Sequence, residues 1–263
     1  MQTDRVKNIT AAAILALLMT FMEMSALPAA LFVDIHFKDI EPVYFALMAN
    51  FLIAFLLCGI CRRFILREWR FGLSPDGLAE GLKKHGLPAL IATAAVAASF
   101  CIGLYPFDNT PTVWRVLIEG IVYYIGVGVM EELYLRGLLQ NVIEKLFGSR
   151  RHASLWAVLI TSVLFGAGHI FGALGQPVLT ILCKTVWAAG LGVYFGAVYV
   201  KTRNLLLVMV LHTLIDLCGI PFCFSSGSEY PAISLAVSLI SFVLLGVYGL
   251  FILREGKKTG ETC

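Results

Sequence analysis

The chain has 263 residues, 59% of them hydrophobic and only 14% charged, with a mean hydropathy of +0.85 and a formal net charge of +3. A soluble domain is nearer half apolar and a quarter charged, so the composition excludes one and points to an all-α polytopic membrane helix bundle, read as one integral membrane domain over 1–263. No basic face is interleaved with aromatics, which excludes nucleic acid as a partner and leaves the lipid bilayer.

In chain order, Arg5 and Lys7 precede an apolar run from Asn8 through Phe32, long enough to span a bilayer rather than to act as a cleaved leader. Hydropathy predicts eight spans in all, at 9–33, 42–61, 87–106, 114–136, 153–172, 178–200, 204–224 and 231–253. Turns such as Pro106 to Pro111 and Ser225 to Ser228 separate them. Between the second and third spans, Ser74-Pro75-Asp76 reads as a helix start, and Leu78, Leu82 and His85 follow at helical spacing. This predicts a short amphipathic helix lying on the inner leaflet. Glycines four apart, Gly168 with Gly172 and Gly192 with Gly196, predict close helix approach in the fifth and sixth spans.

The charges orient the bundle. With the N-terminus inside, every one of the 20 basic residues except Lys38, Arg115 and Lys184 falls on the cytoplasmic side. That asymmetry predicts a cytoplasmic N-terminus, a cytoplasmic C-terminus and an even number of spans. Arg115 and Lys184 lie within spans near the outer edge, where they can snorkel. The seven cysteines fall mostly in apolar spans and read as small buried thiols, Cys58 and Cys61 included.

Ionisable groups inside spans are costly and therefore mark function by default. The fourth span ends in Glu131-Glu132-Leu133-Tyr134-Leu135-Arg136. Glu132 and Arg136 are four apart and share a helix face, which predicts an ion pair. Glu131 is turned away by about a quarter turn and is left to act. The fifth span carries His169, with Phe165 one turn before it and glycines around it. The seventh carries His212 and Asp216 on one face, where the acid can orient the imidazole. If Glu131, His169, His212 and Asp216 converge, they fit two designs. One is a catalytic metal site such as zinc; the other is a water held by hydrogen bonds, with Glu131 as general base. His169 lies some 24 Å along its own helix, so convergence requires the fourth helix to run on past Arg136, to about Phe147, or the fifth to start late or tilt, and the longer, tilted fourth helix is favoured. Leu138, Leu139, Val142, Ile143 and Leu146 keep an apolar stripe that permits it. Glu23, Glu119 and Lys184 receive no role.

Glu131-Glu132 with Arg136, Phe165 with His169, and His212 with Asp216 resemble the ordered motifs EExxxR, FxxxH and HxxxN/D of the CPBP family of intramembrane proteases. These are the CAAX prenyl endopeptidases and the bacteriocin-processing, Abi-type proteins, and the resemblance covers roughly 110–220. It implies hydrolysis of a peptide bond in a lipidated or membrane-associated peptide or protein substrate. Glu131 would activate water, His169, His212 and Asp216 would position it or the oxyanion, and Glu132, Arg136 and Phe165 would support the site. Metal-dependent and metal-free mechanisms both stand for such a family, and Asp216 occupies a position where some members carry Asn. A bacterial plasma membrane is the expected location. The alternative is a non-catalytic scaffold or immunity factor, or a proton-coupled transporter, though no internal repeat supports the latter. Rival intramembrane proteases lack their motifs, since no HExxH occurs and no GxGD or GxSG lies in a span.

Overall fold

A computed structural model describes residues 6–14, 16–17, 37–64, 67, 70–148, 152–227 and 229–255. Seven helices in it are long and apolar enough to cross a membrane. They are α1 (Pro42–Phe64), α2 (Leu78–Gly103), α3 (Val113–Phe147), α4 (Ala153–Phe171), α5 (Val178–Thr202), α6 (Leu205–Phe224) and α7 (Ala232–Glu255). The span expected at 9–33 falls mostly outside the described residues, although 6–14 and 16–17 are helical. Among the described residues there is no sheet, only one isolated bridge between Phe37 and Ile40. The protein is an all-helical integral membrane protein.

The helices form a closed circuit. α5 packs along both α4 and α7, α7 along α2, α2 along α6, and α6 along the first half of α3. The second half of α3 then returns against α4 and completes the ring. Leu87, Ile91, Val163, Leu179 and Leu244 are exposed on the outside, while Glu132, Arg136, Gln140 and His212 are buried inside. In water this distribution would be costly. In lipid the outer apolar groups lose nothing, and the inner polar groups must satisfy one another.

α3 decides whether a site can exist. It runs unbroken for 35 residues, from Val113 to Phe147, as the apolar stripe beyond Arg136 predicts. Glu131 to Phe147 and Ala153 to His169 each span 16 residues, so both side chains sit about 24 Å from the turn that joins the two helices. Two stretches of α3 are wound as π-helix, Ile118–Val122 and Leu133–Gln140. Widened turns of this kind shift the backbone ladder and recur at functional sites. At the end of the second stretch the Asn141 side-chain amide donates to the carbonyls of Arg136 (3.1 Å) and Gly137 (2.9 Å) and to the Tyr199 hydroxyl (2.8 Å). Backbone acceptors loosened by the wide turns thus gain a donor inside the protein.

The short interfacial helix expected at 75–85 does not exist as a separate element. α2 begins at Leu78 behind Gly77, which adopts φ 74°, and continues without interruption through Pro88 to Gly103. Ser74 and Asp76 instead hydrogen-bond each other ahead of the helix. The first turns are drawn into the bundle because His85 is buried and Gly81 lies directly on the Leu207 side chain of α6. Ordinary core packing therefore accounts for the apolar stripe that suggested a membrane-surface face.

The glycine spacings divide. A Cβ at Gly192 would meet the Ser162 Cα at 2.8 Å, and one at Gly196 would meet Val158 and the Gln140 carboxamide, so this pair sets the approach of α4 to α5. Gly172 has no neighbouring atom within 4 Å, and on α4 the close contact is made by Gly166 against the Thr185 carbonyl. Gly192→Ala is expected to cost about 1–3 kcal/mol through overpacking, whereas Gly172→Ala leaves stability unchanged. Thermal unfolding of the two variants in detergent checks the contrast.

Outside the spans, the 37–41 and 105–112 segments are tied by side chains. Thr112 hydrogen-bonds Asp39 through its backbone N–H (2.8 Å) and its hydroxyl. Ser226 does the same for Asp108. These bonds hold the Asp39 and Asp108 carboxyls below the usual carboxylate range. Glu119 and Arg115 pair at 3.0 Å, and the second Glu119 oxygen accepts the Glu41 N–H at 2.7 Å. Arg115 therefore answers a buried acid on its own helix.

Candidate active site

Glu132 is fully buried, and its Oε1 is the hinge of the site. Arg136 Nη1 donates to this oxygen at 2.8 Å, which is the pair predicted from the four-residue spacing. The guanidinium is also fully buried, and Nη2 donates to the Gly192 carbonyl at 3.2 Å. The Phe165 and Phe195 rings lie 5.0 and 5.5 Å from its carbon, so the cation is enclosed by a carboxylate, a carbonyl and two aromatic faces. That setting suits a planar, permanently charged guanidinium rather than an ammonium. One turn further on, Gln140 donates to the Gly196 carbonyl at 3.3 Å, extending the polar stripe of Glu132 and Arg136.

His212 meets Glu132 from α6. Its Nδ1–H donates to the same Oε1 at 2.7 Å. Because Glu132 is held as an acceptor by Arg136, the proton on this contact belongs to the imidazole. The ring is stacked on Phe195, 4.6 Å between centroids and 25° between planes, and touches Phe165 edge-on. Its orientation is thus set on three sides. Nε2 is left facing Glu131 Oε2 and Asp216 Oδ2, each at 3.5 Å.

This arrangement corrects one detail. Sequence spacing assigns the orienting acid of His212 to Asp216, but Glu132 holds Nδ1 while Asp216 stands with Glu131 on the Nε2 side. A stripe at 132, 136 and 140 is legible in the sequence. That it reaches across to His212 is not, because the pairing joins positions 80 residues apart. Phe195 was also missed; its place between Gly192 and Gly196, on the face that contacts α4, is the only signal that could have found it.

His169 reaches the group through Phe165. The two rings are 4.7 Å apart and nearly perpendicular, so one phenyl ring contacts both imidazoles and Arg136. His169 Nδ1 is 2.9 Å from the Phe165 carbonyl. A carbonyl can only accept, so the proton sits on Nδ1 and Nε2 is the nitrogen left for chemistry. Glu131, His212 and Asp216 therefore meet directly, Glu132, Arg136 and Phe165 form their support, and His169 adjoins through the ring of Phe165.

The donor set does not assemble into a metal cage. Among the described residues no group of three or more His, Cys, Asp or Glu side chains is arranged to hold an ion. His212 Nδ1 and His169 Nδ1 are each committed to an oxygen acceptor, which leaves Nε2 of each ring for chemistry.

A polytopic helical membrane protein with a buried carboxylate and imidazole centre is the class that fold and site define. Residues 112–218 match the family model described as type II CAAX prenyl endopeptidase, Rce1-like, which bears out the CPBP resemblance over the segment carrying all three motifs. Over this segment the chain is similar to the CAAX prenyl endopeptidases. None of the curated proteins compared matches the chain.

Proposed function

We propose that the chain is an intramembrane endopeptidase that hydrolyses a peptide bond with a glutamate-activated water, Glu131 being the general base. The observation that carries this reading is the meeting of Glu131, His212 Nε2 and Asp216 at 3.5 Å, with the opposite side of the imidazole locked by Glu132 and Arg136.

The roles follow from what each group can do. Glu132 is neutralised by Arg136 and its Oε1 is occupied, so it cannot serve as the base. Glu131 lies outside that pair and can take a proton from water. Attack on the substrate carbonyl then forms a tetrahedral oxyanion, and the protonated Glu131 returns the proton to the leaving amine. His212 carries the proton on Nδ1 in its neutral form. With a second proton on Nε2, the ring would donate to the oxyanion. His169 has Nδ1 committed as a donor, so its Nε2 accepts, and it suits holding the water better than stabilising the oxyanion. Asp216 supplies a second acceptor for that water and balances charge at Nε2.

The substrate is a membrane-associated or lipidated peptide or protein reached from the bilayer, and the cytoplasmic side is that of the Phe147 end of α3, where the sequence gathers basic residues. A metal-free mechanism makes a direct prediction: prolonged treatment with EDTA or 1,10-phenanthroline changes cleavage of a fluorogenic lipidated peptide by less than about twofold. A loss restored by added zinc would replace this mechanism with a metal-based one.

A further inference from the structure

The proposed chemistry leaves an intramembrane charge, Lys184, without a task. Lys184 sits in the second turn of α5 and is half-buried. Among the described residues its ammonium pairs with no carboxylate. It lies over the Tyr230 ring, 5.0 Å from the centroid. A cation within a span is costly, and such residues face a bundle interior or cavity and mark substrate paths.

Its surroundings place it beside the site. α4 and α5 run antiparallel, and Gly166 rests on the Thr185 backbone, the residue next to Lys184. From that contact, His169 lies three residues further towards the turn joining the two helices, and Lys184 lies on the same side of it. The two are within electrostatic reach of each other. Tyr230 packs on Phe222 at 5.2 Å between centroids, in the stretch of α6 that follows Asp216. The ammonium thus stands between the elements that bring His169 and Asp216.

We propose that Lys184 is the anion-binding residue of this site, receiving a carboxylate or phosphate group that lies beyond His169 as seen from Glu131. The electrostatic argument is one of polarity. Glu131 and Asp216 make one end of the site repel anions, and Lys184 makes the other attract them, so an anionic ligand lies towards Lys184. Two sources share this chemistry: the free carboxyl end of a substrate peptide and the phosphate of an anionic lipid. In the first case Lys184 determines specificity for the proposed hydrolysis, and the inference then rests on that reading. The Tyr230 ring keeps the ammonium in place by a cation–π contact that an incoming anion does not need to break.

The test uses the full chain in neutral phosphatidylcholine nanodiscs on a Glu131→Gln background, where a bound peptide is not cut. The probes are a fluorescent farnesylated tetrapeptide with a free carboxylate and its C-terminal amide. The acid is expected to bind at least about tenfold more tightly than the amide, the range of a charge-assisted hydrogen bond. Lys184→Gln should abolish that difference, Lys184→Arg should keep most of it, and Lys184→Glu should reverse it. If acid and amide bind alike but phosphatidylglycerol raises the melting temperature only when Lys184 is present, the anion is the lipid phosphate. Equal binding of acid and amide together with no Lys184-dependent lipid effect overturns the proposal. Cleavage by the Glu131-intact protein separates the two readings. Carboxylate-dependent binding without cleavage leaves Lys184 assigned and removes the protease. Equal cleavage of acid and amide keeps the protease and, without a Lys184-dependent lipid effect, removes Lys184. Lys184→Met serves as the folding control: its melting temperature should not fall, since Met keeps the apolar stem and removes a half-buried charge.

Discussion

Replacing Glu131 by Gln is expected to lower kcat by about 10²–10⁴-fold, the usual contribution of a general base, with little change in KM or melting temperature. Gln keeps the shape of the side chain and a hydrogen-bonding oxygen, so the His212 and Asp216 geometry has no reason to move. What disappears is the proton acceptor. Glu131 is largely buried, and Glu132, across His212, is committed to Arg136 and to Nδ1, so it cannot take over. The matched substitution Glu132→Gln acts by another route. It loosens the Nδ1 contact and the Arg136 pair, so protein stability should fall along with rate. Full retention of biological function in Glu131→Gln would show that cleavage is not the function, and a scaffold or transporter would then lead.

Loss of the guanidinium should be the largest structural defect. Arg136→Met is expected to destabilise the protein by about 3–5 kcal/mol, the cost of leaving a buried charge without its partner. The reason lies in what Arg136 holds: Glu132, the Gly192 carbonyl and two aromatic faces, all out of contact with solvent. With the cation gone, Glu132 keeps only the His212 contact and must draw a proton or pull the helices apart. Arg136→Met combined with Glu132→Gln should recover part of the loss, because the unpaired charge is then removed as well. Arg136→Lys should recover less, since an ammonium cannot reach the carboxylate and the Gly192 carbonyl in the same plane. Unfolding temperatures and the monodisperse fraction after detergent extraction measure all three.

Much of the molecule was legible without coordinates because lipid simplifies the reading. A span needs about 20 apolar residues, and seven of the eight predicted spans recur as helices with ends shifted by only a few residues, apart from α2 and α3. Those two differ for the same reason. Hydropathy reports where a segment leaves the apolar phase, not where its backbone stops being helical. α3 continues as a helix through Phe147 because its later turns are covered by α4. α2 starts early because α6 packs on Gly81.

The sequence by itself determined the chemistry on offer. Carboxylates and imidazoles in hydrocarbon are costly and mark function by default, and helical spacing pairs Glu132 with Arg136 and turns Glu131 away from that pair. The tertiary structure decided which group orients which. Residues four apart are neighbours on a helix by geometry alone, so the sequence favours Asp216 as the partner of His212. Glu132 takes that place because it comes from another helix at the right height and is already held by the Arg136 guanidinium. Partner choice across helices depends on depth, rotation and the π-helical turns of α3, and these are fixed only when every face of the bundle is packed at once.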